Sequence, residues 1–144
     1  MKYYETNPEC PAGFGGVVWD DSYVPPRQVS AHLTFAVPVR AELITSYGAA
    51  FAVTEPLADA LLETDLTGFA FSPVSGTLHP DLEEDALFEL PLLRGLVITG
   101  RAFQDDFGIE QQGLLILSER AVRFLDSRDP KFRDCVMEPL AGSG

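Results

Sequence analysis

The sequence predicts an α+β fold in which a mainly antiparallel sheet carries two short helices. Three observations lead there. An apolar run of strand type passes into a helical pattern twice in matching order, as FAVTEPLADALL (residues 51–62) and LLILSERAVRFL (114–125). Each copy continues into a further short apolar run, GFAFSPV (68–74) and DCVMEPL (134–140). Elsewhere the apolar runs are short and bounded by glycine, proline and polar residues, as strands are. Pairing Thr54 with Ser118 and Pro73 with Pro139 needs only two extra residues in the second copy. The chain therefore reads as a duplicated strand-helix-strand unit. Its 144 residues read as one domain, 1–144, large enough to bury a core without a metal or disulfide.

Along the chain, residues 1–40 are rich in turn formers (Asn7-Pro8, Pro11, Gly13, Gly15, Gly16, Pro25, Pro26) and predict irregular structure with one short strand at Gly16–Asp20. Residues 31–39 predict a strand demoted at its end by Pro38. In the first copy, Thr54 predicts an N-cap that accepts a bond from a first-turn amide, Glu55 favours the positive end of the helix dipole, and Pro56 fits a turn that needs no donor. Leu57, Ala58, Leu61 and Leu62 supply the apolar stripe, which ends near Thr64. Phe69–Val74 predicts the next strand. Residues 79–92 predict a short acidic helix or ordered loop between Pro80 and Pro91. Arg94–Ala102 and Gly113–Leu117 then predict two strands of a hairpin across the polar turn QDDFGIEQQ. The second copy repeats the pattern, with Ser118 as N-cap, Glu119 behind it, a stripe of Ala121, Val122, Phe124 and Leu125, a stop near Ser127, and a last strand at Cys135–Leu140.

Catalytic constellations are thin. His32 lies inside an apolar strand and His79 beside Pro80, and neither has a recognisable partner. With only Lys2 and Lys131 there is no Ser-x-x-Lys, and Gly13-Phe14-Gly15-Gly16 lacks the lysine and the preceding strand of a phosphate loop. Asp105-Asp106 reads as a turn cap before it reads as a cation site. Cys10 and Cys135 do not make a disulfide framework, and Cys135 in an apolar strand reads as packing. No cofactor or metal is expected.

Charge is segregated. The net charge is −12, and between Arg40 and Arg94 the chain holds no lysine or arginine against ten acids, five of them being Asp81, Glu83, Glu84, Asp85 and Glu89. Such a field disfavours nucleic acid and anionic membrane as partners and favours a basic protein. No apolar run approaches the length of a membrane span and MKYYETNPEC lacks a signal peptide's apolar region, so a cytoplasmic location is expected.

The C-terminal half, GLVITGRAFQDDFGIEQQGLLILSERAVRFLDSRDPKFRDCVMEPL, resembles the end of a bacterial immunity-protein family from polymorphic toxin systems, of the myxobacterial deaminase-toxin type. The similarity lies in Gly100-Arg101-Ala102, Asp105-Asp106-Phe107-Gly108, Ser118-Glu119-Arg120-Ala121 and the Cys135 strand, and TEPLADALLETDLTGFAFSPV is similar to that family's upstream helix-strand unit. Together these cover residues 43–140. A related group carries paired Cys-x-x-Cys-Gly motifs, but Cys10-Pro11-Ala12-Gly13 lacks the second cysteine, so a zinc ribbon is not expected. The resemblance implies a non-enzymatic antitoxin that blocks a co-encoded toxin domain acting on nucleic acid or nucleotides. Its expected toxin-facing residues are Asp81, Glu83, Glu84, Asp85 and Glu89, with Asp105 and Asp106. The alternative is a small-ligand binder or enzyme using His32 or His79 with acidic residues, for which a buried histidine bonded to a carboxylate in a deep pocket would be the mark.

Overall fold

The computed structural model describes residues 2–24, 26–46, 50–110 and 114–140. From the N-terminus come strands β1 (Tyr3–Thr6), β2 (Glu9–Asp20), β3 (Arg27–Phe35), β4 (Leu43–Ser46) and β5 (Phe51–Thr54), then helix α1 (Glu55–Leu62). They are followed by β6 (Phe69–Ser72), β7 (Val74–Leu78), β8 (Leu93–Ile98), β9 (Phe107–Ile109), β10 (Leu115–Ser118), helix α2 (Glu119–Arg128) and β11 (Val136–Leu140). Single 3-10 segments lie at Glu84–Ala86 and Pro130–Cys135. The fold is α+β and mostly antiparallel. One sheet has the order β11-β1-β10-β9 and the other β6-β8-β5-β4-β2-β3-β7.

The two copies are the same down to register. In the first, β4 and β5 form a hairpin, α1 follows, and β5 and β6 flank β8, antiparallel to both. In the second, β9 and β10 form the hairpin, α2 follows, and β10 and β11 flank β1, again antiparallel to both. Thr54 pairs with Leu93 at the start of β8, and Ser118 with Tyr3 at the start of β1. Just beyond, the Glu55 amide donates to the Leu92 carbonyl and the Glu119 amide to the Lys2 carbonyl, both at 3.0 Å. The strand filling each unit's gap therefore comes from outside it. β8, which leads into the second unit, completes the first, while β1 completes the second. Strands β2, β3 and β7 extend the first unit's sheet.

One core serves both units. Leu43, Phe51, Val53, Leu57 and Leu61 meet Phe107, Leu115, Leu117, Ala121 and Leu125 in a single buried cluster. These are equivalent positions, each 64 residues apart like Thr54 and Ser118. Ile44 and Ala52, the alternate residues of β4 and β5, face the other way and join Ala31, Leu33 and Phe35 in a second cluster. That alternation is what a strand buried on both faces requires.

Three expectations are corrected and one open alternative is decided. Residues 1–40 are not irregular, since they supply β1, β2 and β3. Asn7-Pro8 and Pro26 lie in the connections between these strands, but Pro11, Gly13 and Gly16 sit where strand pairing slips, with register shifts between Glu9 and Ala12 and between Gly13 and Gly16. Within β2, glycine and proline mark bulges, not loops. Second, β8 and β10 do not form a hairpin. β9 is interposed and pairs with β10, while β8 joins the other sheet. Third, of the short helix or ordered loop expected at residues 79–92, the structure has the loop, an ordered strap with one 3-10 turn at Glu84–Ala86. Fourth, Ser118 accepts from the Ala121 amide as an N-cap should, but Thr54 at the equivalent position makes no such bond. Its hydroxyl donates to Glu42 instead, at 3.2 Å.

The end of β8 and the starts of β6 and β9 converge at Gly68. The Thr99 and Gly100 amides both donate to its carbonyl, at 2.9 and 3.0 Å. Gly68 has φ 97°, and a Cβ there would run into the Phe107 carbonyl oxygen. Gly68→Ala is therefore expected to cost about 2 kcal/mol or more, through left-handed strain and lost close approach. A urea denaturation midpoint equal to wild type would contradict this reading of the junction.

Candidate functional site

Two acids at equivalent positions, Glu42 and Asp106, tie the units together. The Thr54 and Ser118 amides donate to the carbonyls of Glu42 and Asp106, each at 2.9 Å. The Thr54 and Ser118 hydroxyls donate to their carboxylates, at 3.2 and 2.6 Å. Each acid is also held by the segment at the end of the other unit's helix. The Glu42 amide donates to Asp129 Oδ2 (3.2 Å) and its carboxylate receives Arg128 (3.1 Å). The Asp106 amide donates to Thr67 Oγ1 (3.2 Å), and the Thr67 amide donates back to Asp106 Oδ2 (2.9 Å). Asp106 is further clamped by Arg120, whose Nε and Nη2 donate at 2.8 and 2.6 Å while Nη1 reaches Asp65 at 3.1 Å.

Burial pushes the Asp106 carboxyl up. The donors of Arg120, Ser118 and Thr67, with the Arg120 charge, outweigh it and bring the group from 3.8 down to about 2. Asp106 is 4% exposed. It is therefore withdrawn from the toxin-facing set, because its charge is spent inside the fold. Asp105 is half-buried, and its carboxylate accepts from the Arg101 amide at 2.8 Å, closing the turn before β9.

The other five candidates share one feature of the fold. Asp81, Glu83, Glu84, Asp85 and Glu89 all lie exposed on the strap between β7 and β8. The strap is fixed at its start by the His79 amide, which donates to the Phe35 carbonyl (2.8 Å), and at its end by the Glu55–Leu92 bond. Phe88, Leu90 and Leu93 pack onto the second core cluster, so the chain is anchored by its apolar side chains and offers its acids to solvent. The remaining acids of the acidic block are largely neutralised at home. Arg128 takes Glu42, Arg94 takes Glu55 and Asp59, and Arg120 takes Asp65. On the strap the one ion pair among the described residues is a 4.0 Å approach of His79 to Asp81. The middle third of the sequence carries ten acids, but the free field comes from these few.

The histidines lie apart. His32 sits on β3 with Nδ1 2.7 Å from Ser75 Oγ and Nε2 3.1 Å from Thr77 Oγ1, so hydroxyls of β7 take both ring nitrogens. His79 is exposed, and its Nδ1 accepts from the Asp81 amide at 3.1 Å. Among the described residues neither histidine is buried against a carboxylate in a pocket. Burial pushes the Cys135 thiol up, away from thiolate chemistry. No group of three or more metal-ligating side chains occurs among the described residues. Among the described residues no helix is long and apolar enough to cross a membrane. Comparisons with protein-family models, with curated proteins and with solved structures found no match.

Sequence reasoning missed Glu42 and Arg120 as structural partners. The signal for Glu42 was present, since it stands 64 residues before Asp106, as Thr54 stands before Ser118.

Two outcomes follow for this network. The folded pKa of Asp106 lies below its ordinary value, so its contribution is fully present above about pH 4 and is lost as pH falls through about 2. Asp106→Asn should cost about 2 kcal/mol at pH 7, as the lowering from 3.8 to about 2 implies, with the difference from wild type shrinking as pH drops toward 2. Chemical denaturation at a series of pH values checks this, and a pH-independent difference would contradict it. Ser118→Ala should cost about 2 kcal/mol or more, since it removes an N-cap and a bond to a charged carboxylate together. Thr54→Ala should cost about 1 kcal/mol, since its hydroxyl makes only the bond to Glu42. Equal losses in thermal melts of the two variants would overturn the distinction.

Proposed function

We propose that this protein is a non-enzymatic, cytoplasmic immunity protein that binds and blocks a toxin domain encoded beside it, one acting on nucleic acid or nucleotides. The supporting observation is the strap, where Asp81, Glu83, Glu84, Asp85 and Glu89 stand exposed with no arginine or lysine ion pair among the described residues, on a segment already held by Phe88 and Leu90. A basic toxin surface is the complementary partner, as such a field speeds encounter and the anchored backbone lowers the ordering cost of docking. Leu87 and Leu92, 55% and 74% exposed beside these acids, offer apolar contacts that slow release. The resemblance of residues 43–140 to the immunity family supports the same reading, and its charge disfavours a direct role on nucleic acid.

Binding kinetics against the adjacent toxin domain test it. A variant with Asp81→Asn, Glu83→Gln, Glu84→Gln and Asp85→Asn should associate roughly ten-fold more slowly at low salt, with a flatter salt dependence and a dissociation rate changed much less. Wild-type association with an unchanged salt slope would place docking elsewhere.

A further inference from the structure

A concavity of about 820 Å³ is far from neutral in its chemistry. It lies between the turn that joins β2 to β3 and the turn between β8 and β9, and none of the strap residues line it. Its walls include Tyr23, Val24, Phe103 and Ile109, and two arginines, Arg27 and Arg101. In a chain of net charge −12 most described arginines are consumed by carboxylates: Arg94, Arg120, Arg123 and Arg128 all sit in ion pairs of 3.8 Å or less. Arg27 and Arg101 stand in none of the ion pairs found among the described residues, and they share this cleft.

Arg27 is also pre-set. It is half-buried, its Nη2 donates to the Thr99 carbonyl at 3.3 Å, and its guanidinium lies 3.7 Å over the centre of the Tyr23 ring. A guanidinium carries five N–H donors in a rigid fork, so one carbonyl leaves most of them for a ligand. Its neighbour across the cleft floor, Phe103, has φ 69°, the one left-handed non-glycine residue among those described. Its ring is held edge-on against Tyr3, with centroids 5.4 Å apart. Backbone strain of this kind persists where surrounding structure enforces it, and it collects at ligand sites. The opposing charge includes Glu110 on the wall, Asp105, whose carboxylate is held by the Arg101 amide at 2.8 Å, and Asp20, whose carboxylate is taken up by Ser22.

The geometry points to a binding site for a small oxyanion, a carboxylate or phosphate, carried on a flat apolar body. Arg27 and Arg101 take the oxyanion, and Tyr23, Val24, Phe103 and Ile109 take the body. The volume falls within the range of small-molecule sites. This inference does not depend on the toxin-binding reading, which uses different residues.

Titration of the ¹⁵N-labelled full chain, read by amide shifts of residues 98–103, tests it with four probes: inorganic phosphate, phenyl phosphate, benzoate and a hexaglutamate peptide. Phenyl phosphate or benzoate is expected to saturate, more tightly than inorganic phosphate, and added sodium chloride should weaken binding. Tighter binding of phenyl phosphate assigns the oxyanion to a phosphate ester, and tighter binding of benzoate assigns it to a small carboxylate. Arg27→Gln and Arg101→Gln should each weaken binding about ten-fold, as loss of a charge-assisted contact does. Arg40→Gln, exposed and outside the cleft, should leave binding unchanged, and Glu110→Gln should tighten it. Absence of saturable shifts with every probe, binding of the peptide alone, or equal binding by the folded Arg27→Gln and Arg101→Gln variants would overturn the site.

Discussion

Everything in this fold depends on two strands, β1 and β8, each of which precedes one unit in the chain and completes the sheet of the other. β8 sits between β5 and β6, and β1 between β10 and β11, each antiparallel to both neighbours. A strand missing from the middle of a sheet leaves two rows of backbone donors and acceptors unpaired, and buried backbone groups left unpaired are costly. Neither unit can therefore close without the strand supplied from beyond it. The shared core follows from the same constraint, because hairpins and helices held in equivalent positions present equivalent side chains to one another, Leu43 with Phe107 and Leu61 with Leu125.

Polar chemistry reinforces that exchange. Glu42 and Asp106 each bond the hydroxyl that opens their own unit's helix and also reach the segment at the end of the other's. The pair is not chemically symmetric. Asp106 is shorter, nearly fully buried and clamped by Arg120, whereas Glu42 meets Arg128 nearer the surface. Pro56 occupies the first-unit position of Arg120 and cannot supply the same cation. The second unit is thus the more electrostatically committed of the two, and it is the one in which the serine completes an N-cap.

Local physics made part of this visible in the sequence. Both helices, their stops and the strands around them were legible because caps, apolar spacing and turn residues act within a few positions. The pairing of Pro73 with Pro139 was legible as well, as Pro139 faces Tyr4 and the ladder from Ser72–Gly95 brings Pro73 to the matching place. What stayed hidden was non-local. Nothing near Arg94–Ala102 says that this strand leaves its apparent hairpin partner, and nothing near Tyr3 says that four residues fill a gap more than a hundred positions away. In residues 1–40 the end of β2 and most of β3 were legible, but β1 and the first half of β2 were masked by glycine and proline, which mark register shifts in β2. Of the candidate surface, the acid cluster at 81–89 was legible as charge, but its anchoring by Phe88 and Leu90 was not. Asp106 was misread because an acid beside another acid in a turn looks exposed until its arginine is placed.

Native-state hydrogen exchange measured amide by amide tests the exchanged-strand architecture most directly. If the units are interlocked, the most protected amides of Leu96 in β8, Val53 in β5 and Leu117 in β10 should open with one common free energy equal to that of global unfolding, since neither sheet survives loss of the other. Two well-separated opening free energies, one for the β5 and β8 amides and a lower one for β1 and β10, would show that the sheets open independently and would contradict the account.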